Sequence, residues 1–302
     1  MEIIVEIGTT VQQELIRGEI SFLVDILEGL PLMQKLNRKL TKIIVADDFS
    51  RATNAAQGTV NYSSHRGIGL NKVNALAKVV ESESGITMLL SRDIYNEFMD
   101  DQIRTFVFFH EICHVLTKNI FPSLITNIFA IRTYLANLYV LYDEYFADRL
   151  AFQIVDNIVP KKSTHWDMYW SNSIKGFIEL LSDNTYYELL LDRIQKFRVG
   201  EIENVDTLMI SINQIMDEIS LSTIHLFAVL HSFKNDDEDS LLSQSKFVNQ
   251  RTNDLIQYLK DKYEGPDHDL TDGVDVIAGY FANFGFRLED LEQGGYIRIL
   301  DI

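Results

Sequence analysis

The segment His110-Glu111-Ile112-Cys113-His114 constrains this chain more than any other, because HExxH demands a helix and offers a metal site at once. Histidines four apart on a helix leave the same face about one turn apart, so both imidazoles can reach one ion. Glu111, between them, can take a proton from a water that such an ion activates, which is the step a hydrolase needs. The neighbouring residues agree with a helix. Asp101-Gln102-Ile103-Arg104 reads as its first turn, with Asp100 or Asp101 as the cap. Phe106, Phe109, Cys113, Leu116 and Ile120 recur at spacings of three and four, which predicts a buried stripe with His110 and His114 beside it. Phe108, Ile112 and Val115 widen the apolar surround, the setting of a site that restricts water.

Two histidines leave zinc short of ligands, since catalytic zinc takes three from the protein and keeps a position for water. The segment Asp143-Glu144-Tyr145-Phe146-Ala147-Asp148-Arg149-Leu150-Ala151 supplies the best candidate for the third. Glu144 and Asp148 lie one turn apart on one helix face. This predicts Glu144 as a metal ligand and Asp148 as the acceptor of the second ring N–H of a ligating histidine. Asp143 is the alternative ligand. Apolar residues flank the segment on both sides, from Leu138 to Leu141 and from Leu150 to Phe152, so carboxylates within it need partners.

With these residues in place the chain resembles the gluzincins, zinc metallopeptidases that carry HExxH on one helix and a glutamate on the next. Glu144-x-x-Ala147-Asp148-Arg149 is similar to the ExxAD-type helix of the HtpX and CAAX-prenyl-protease-like families, and glutamate helices of this kind also occur in ImmA/IrrE-like and Lit-like bacterial proteases. The resemblance covers roughly residues 42–155. It implies Zn²⁺ on His110, His114 and Glu144, Glu111 as general base, and Asp148 behind a ligand. It also implies an α+β, zincin-like fold: a small N-terminal sheet, the HExxH helix and the glutamate helix. Thr53-Asn54-Ala55-Ala56-Gln57-Gly58 resembles the edge-strand phrase of HtpX-like enzymes, which would make Asn54 and Ala55 part of a strand that binds substrate through its main chain. A donor for the developing oxyanion is required as well. His231, His225 and Tyr145 are the candidates, with Tyr142 beside them. Two features depart from the HtpX pattern: a short interval between His114 and Glu144, and no clear membrane span.

Other segments fill in the architecture. Lys42–Ala46 and Gly85–Leu90 read as strands, with Gly67–Leu70 and Ala75–Val80 as weaker ones. Helical patterns run over Ile174–Ser182, Tyr186–Phe197, Val205–Phe233 and Leu241–Tyr263, and Gly294–Leu300 reads as a terminal strand. The expected organisation is a catalytic lobe over 1–160 and a mostly helical lobe over 161–302, joined at the polar break Pro160-Lys161-Lys162-Ser163-Thr164 into one structural unit. The longest apolar stretch, Leu124–Tyr142, approaches the length of a membrane span. Asn127, Arg132, Thr133 and Asn137 interrupt it, which predicts a buried helix instead.

Charge and cysteine usage narrow the function. With 44 acidic against 27 basic residues and a net charge of −17, the chain repels nucleic-acid phosphates. The acidic run Asp236-Asp237-Glu238-Asp239 reads as a solvated loop. The single cysteine, Cys113, has no internal disulfide partner and falls on the core stripe, which predicts a small buried hydrophobe. The N-terminal residues lack the basic start and apolar run of a signal peptide, so a cytoplasmic protein is expected. The reading as a whole is a zinc endopeptidase acting on a protein or peptide. A zincin-fold sensor or interaction module without proteolysis, and a small-substrate metallohydrolase, are the alternatives. Oligomeric state is not legible.

Overall fold

The structure is a computed structural model that describes residues 1–30, 40–59, 65–66, 73–82, 85–96, 99–120, 128–159, 161–233, 245–291 and 294–301. It is α+β and mostly helical, with a small mixed sheet. The chain divides into two compact units, one of Met1–Ile120 with Leu150–Tyr169, the other of Phe121–Arg149 with Trp170–Ile302.

The sheet of the first unit has the order β1-β2-β6-β5, formed by Glu2–Val5, Leu40–Ala46, Gly85–Ser91 and Ala77–Ser82. β1, β2 and β6 run parallel, and β5 returns antiparallel to β6. A parallel pair needs a crossover. Between β1 and β2 the helix α1, Thr10–Gly29, lies in that connection, opened by a capping box in which Thr9 and Gln12 bond each other's backbone. The central strands explain their own composition. Ile43, Val45, Ile86, Met88 and Leu89 are buried, so β2 and β6 read as continuous apolar runs rather than as alternation. The strand read at Ala75–Val80 is β5, two residues later; that at Gly67–Leu70 lies outside the described residues. Two short strands, β3 (His65–Arg66) and β4 (Val73–Asn74), pair separately.

Residues 53–58 are not an edge strand. Residues 53–57 belong to α2, Phe49–Gln57, which buries Phe49 against Val80 of β5 and Leu89 of β6. Local chemistry settles the point: the Asp48 carboxylate accepts from the Arg51 N–H at the start, and Gly58 ends the helix at φ 65°, in the left-handed region. Asn54 and Ala55 are therefore helical. Asn54 is taken up by the helix end, its side-chain oxygen accepting from the Thr59 hydroxyl at 3.1 Å, and Ala55 is exposed.

The HExxH helix is α3, Asp101–Ile120. The glutamate helix, α4, runs from Phe129 to Ile158. The residues after it cap the next helix: Ser163 Oγ accepts from the Trp166 N–H at 3.0 Å, and α5, Thr164–Ser182, starts ten residues before the apolar pattern alone suggests. No helix among the described residues is long and apolar enough to cross a membrane.

The second unit holds α6 (Thr185–Arg198), α7 (Val205–Phe233), α8 (Gln250–Glu264), α9 (Val274–Phe281) and the hairpin β7–β8 (Phe286–Leu291 and Gly294–Ile299). α7 has the boundaries its periodicity predicts and is buried along most of its length. α8 begins at Gln250, not near Leu241, because the Asn249 side chain caps it by accepting from the Arg251 and Thr252 N–H groups. The acidic run 236–239 lies outside the described residues.

Candidate metal centre

The first unit presents the HExxH residues on a helix that is anchored at its start and packed along its length. Asp100 is the cap: its carboxylate accepts from the backbone N–H of Gln102 at 3.1 Å and of Ile103 at 3.0 Å. Arg104 then ties α3 to α1 through Glu19 at 2.7 Å, bonds Asp101, and lies over the Tyr95 ring at 5.2 Å. Burial is strong enough to hold the Glu19 carboxyl above its ordinary value despite the guanidinium beside it. Farther along, Phe106, Phe109, Cys113 and Leu116 are buried as the stripe predicts, and so are Phe108, Ile112 and Val115. Phe106 packs on Phe152 at 4.7 Å and on Trp166 at 6.3 Å, which fixes the turn below His110.

His110, Glu111 and His114 are half-buried beside that stripe. The two imidazoles stand edge to face, their centroids 4.6 Å apart, and their Nε2 atoms converge to 3.0 Å. One tetrahedral zinc bound at about 2.0–2.1 Å to both would separate them by about 3.3 Å. A shift of a few tenths of an ångström meets that demand, so the pair fits a shared ion. Each of the three side chains offers a ligand atom within 4.8 Å of the others. Glu111 thus stands within one water of the point on which the histidines converge, where a base is useful.

In the second unit, α4 repeats one arrangement at intervals of three residues. Tyr142 Oη lies 2.7 Å from Nδ1 of His268, Tyr145 Oη 2.7 Å from Nδ1 of His231, and Asp148 Oδ2 2.7 Å from Nδ1 of His225. Both tyrosines are fully buried, and burial holds the Tyr142 phenol protonated to well above its ordinary range. Glu144 sits between these positions with its Oε2 3.9 Å from Nε2 of His225. Asp143 is half-buried on the same turn. Arg149 follows, its guanidinium 5.1 Å from the Tyr263 ring centroid and 3.9 Å from Glu264.

The structure therefore gathers the sequence-derived residues into two groups. His110, Glu111 and His114 form the first. Glu144, Asp148 and His225, with the Tyr145–His231 pair beside them, form the second. The contact of His268 with Tyr142 spans 126 positions, which no local pattern encodes. Compared with protein families, curated proteins and solved structures, the chain matches none.

Proposed function

We propose that this protein is a zinc-dependent endopeptidase. The observation that carries the reading is the convergence of the His110 and His114 Nε2 atoms to 3.0 Å, with the Glu111 carboxylate in the same cluster. A purely structural metal site has no use for an acid placed there. His110 and His114 would hold the ion, with Glu144 as the proposed third ligand on the strength of its sequence pairing with Asp148. When bound, zinc acidifies a water and polarises the scissile carbonyl. Glu111 takes the proton from the attacking water and delivers it to the departing amine, so that water adds to the carbonyl and the C–N bond breaks. A donor from the second group, His231, His225 or Tyr145, meets the charge that develops on the carbonyl oxygen.

Substrate takes its place on β5. That strand is the antiparallel edge of the sheet among the described residues, and α3 packs against it. Its register gives the direction of its groups. The Ser91 N–H donates to the Leu76 carbonyl at 2.7 Å, so residues 78 and 80 also bond β6, while the N–H groups of Ala77 and Val79 point away from it. An extended peptide can add there as a further strand.

The test is Glu111→Gln, assayed by a proteome-wide cleavage screen and by metal analysis. The amide is nearly isosteric and cannot take the proton. Zinc and fold are expected to remain while hydrolysis falls about a hundred- to ten-thousandfold. Cleavage products that persist unchanged with Glu111→Gln, or a wild-type protein that binds no zinc, would sink the reading.

A further inference from the structure

Helix α1 is apolar on two sides. Ile20, Leu23, Val24 and Leu27 are buried, at the spacings of three and four that turn one face of a helix to its core. On the opposite side Val11, Leu15 and Phe22 are 68%, 70% and 60% exposed. Gly18 stands between them, so positions 11, 15, 18 and 22 follow at intervals of four, three and four, the seam that a second helix fills. Single apolar residues on a surface need no explanation, whereas a seam in helical register does. Gly18 points the same way. Glycine weakens a helix interior, yet a Cβ at this position would meet no atom of the described residues within 4 Å. The fold of the chain has room for a side chain there. A helix laid along the seam gains from its absence, because the two backbones come close at that point. The margins of the seam are acidic. Glu14 and Glu28 flank it on one side and Asp25 follows at its end, all three exposed. Glu19, on the other side, is engaged by Arg104 at 2.7 Å. Arg17 is the one cation of α1 and is half-buried toward the core side. Such margins repel a second copy of α1 and an anionic lipid surface, and they attract lysine and arginine.

We infer that this face of α1 docks an amphipathic helix of a partner protein, apolar along one seam and flanked by lysine or arginine. The partner's apolar residues settle on Val11, Leu15 and Phe22, its backbone approaches Gly18, and its cations meet Glu14, Asp25 and Glu28. From Val11 to Phe22 the seam is roughly 16 Å long at about 1.5 Å per residue, so about three turns of the partner cover it. A surface of that size makes a weak and reversible complex. The docking face lies wholly within the first unit and uses no residue of the proposed metal centre.

The experiment measures, by fluorescence anisotropy, the binding of two labelled synthetic peptides to the full-length chain. Both carry leucine at the a and d positions of a heptad pattern; one has lysine at e and g, the other glutamate. The lysine peptide is expected to bind with a dissociation constant on the order of micromolar, and the glutamate peptide at least tenfold more weakly. That comparison uses the wild type alone and so does not depend on the folding of any variant. Phe22→Ser should weaken the lysine peptide at least tenfold with an unchanged circular dichroism spectrum. Gly18→Gln, a better helix former, should raise the unfolding midpoint and still weaken the peptide at least fivefold. Glu14→Lys combined with Glu28→Lys should weaken the lysine peptide and strengthen the glutamate one. Equal binding of the two peptides to the wild type overturns the inference. So does a lysine peptide that binds Phe22→Ser as tightly as wild type, since net charge alone then holds it. Sedimentation in which the wild type dimerises and Phe22→Ser does not would give the seam to a second copy. Flotation with phosphatidylcholine–phosphatidylserine vesicles that Phe22→Ser abolishes would give it to a membrane. Either of these results also overturns the inference.

Discussion

The Nε2 atoms of His110 and His114 stand 3.0 Å apart, two imidazole nitrogens on one helix turned to one point. An ion that binds this arrangement and not the unfolded chain stabilises the fold by mass action. At free zinc a hundred times its dissociation constant the gain is about 2.7 kcal/mol. Thermal unfolding is therefore expected to shift upward with added zinc and to return with a chelator. His114→Gln should abolish the shift while keeping the metal-free midpoint within a degree or two, since the side chain is only half-buried.

Val79 offers a test of substrate placement that spares the metal. Its N–H points away from β6, so Val79→Pro removes no bond of the described sheet, and proline is tolerated on an edge strand. Far-UV circular dichroism and zinc binding should be unchanged. Cleavage of peptides should fall at least tenfold, chiefly through KM. Unaltered KM would move the substrate off β5.

The Glu19–Arg104 pair anchors the start of α3, with side chains 26% and 13% exposed. Removing the cation leaves a poorly solvated carboxylate, and Arg104→Ala should cost about 3 kcal/mol near neutral pH. The pH dependence has a definite sign. The folded-state pKa of Glu19 is already raised above its ordinary value by burial, and loss of Arg104 raises it further. The protonated acid is the form burial favours, so stability is retained below the ordinary carboxylate value and lost as pH rises through the raised one. Denaturant unfolding should show a small deficit for Arg104→Ala in acid that widens toward neutrality. A constant deficit would mean that Glu19 is not the cause.

Tyr145→Phe isolates the hydrogen bond to His231 Nδ1, made at 2.7 Å between groups that are buried or half-buried. Shape is kept and one bond is lost, so unfolding should show a cost of about 1–2 kcal/mol. If His231 is the oxyanion donor, kcat should fall further than stability explains, with KM nearly constant. A variant that loses stability and nothing else would confine the pair to a structural role.

Periodicity was sufficient where one face of an element meets one core. The stripe from Phe106 to Leu116, the limits of α7 at Val205 and Phe233, and the apolar runs of β2 and β6 all read directly, because burial sets their residue types. It failed where a few polar contacts decide. Residues 53–57, an edge strand by their resemblance to HtpX-like enzymes, are helical because Asp48 and Gly58 cap them. Asn249 and Ser163 move two helix starts in the same way. At the site, His110, Glu111 and His114 were legible because helical spacing is local. The partner of Asp148 was not, since His225 lies 77 positions away and only tertiary structure brings its ring to that carboxylate.

Cys113 is the only cysteine of the chain, lies between His110 and His114, and is fully buried. It is therefore a built-in clock for the motion of that helix. A thiol reagent can reach the sulfur only while α3 has come away from its core, so the labelling rate at saturating reagent counts openings of the helix, and its dependence on reagent concentration gives their free energy. An ion gripping His110 and His114, one turn apart on either side of the thiol, should slow that clock without touching the sulfur. The chain thus reports, through a thiol buried in its core, how often the HExxH helix is out of place.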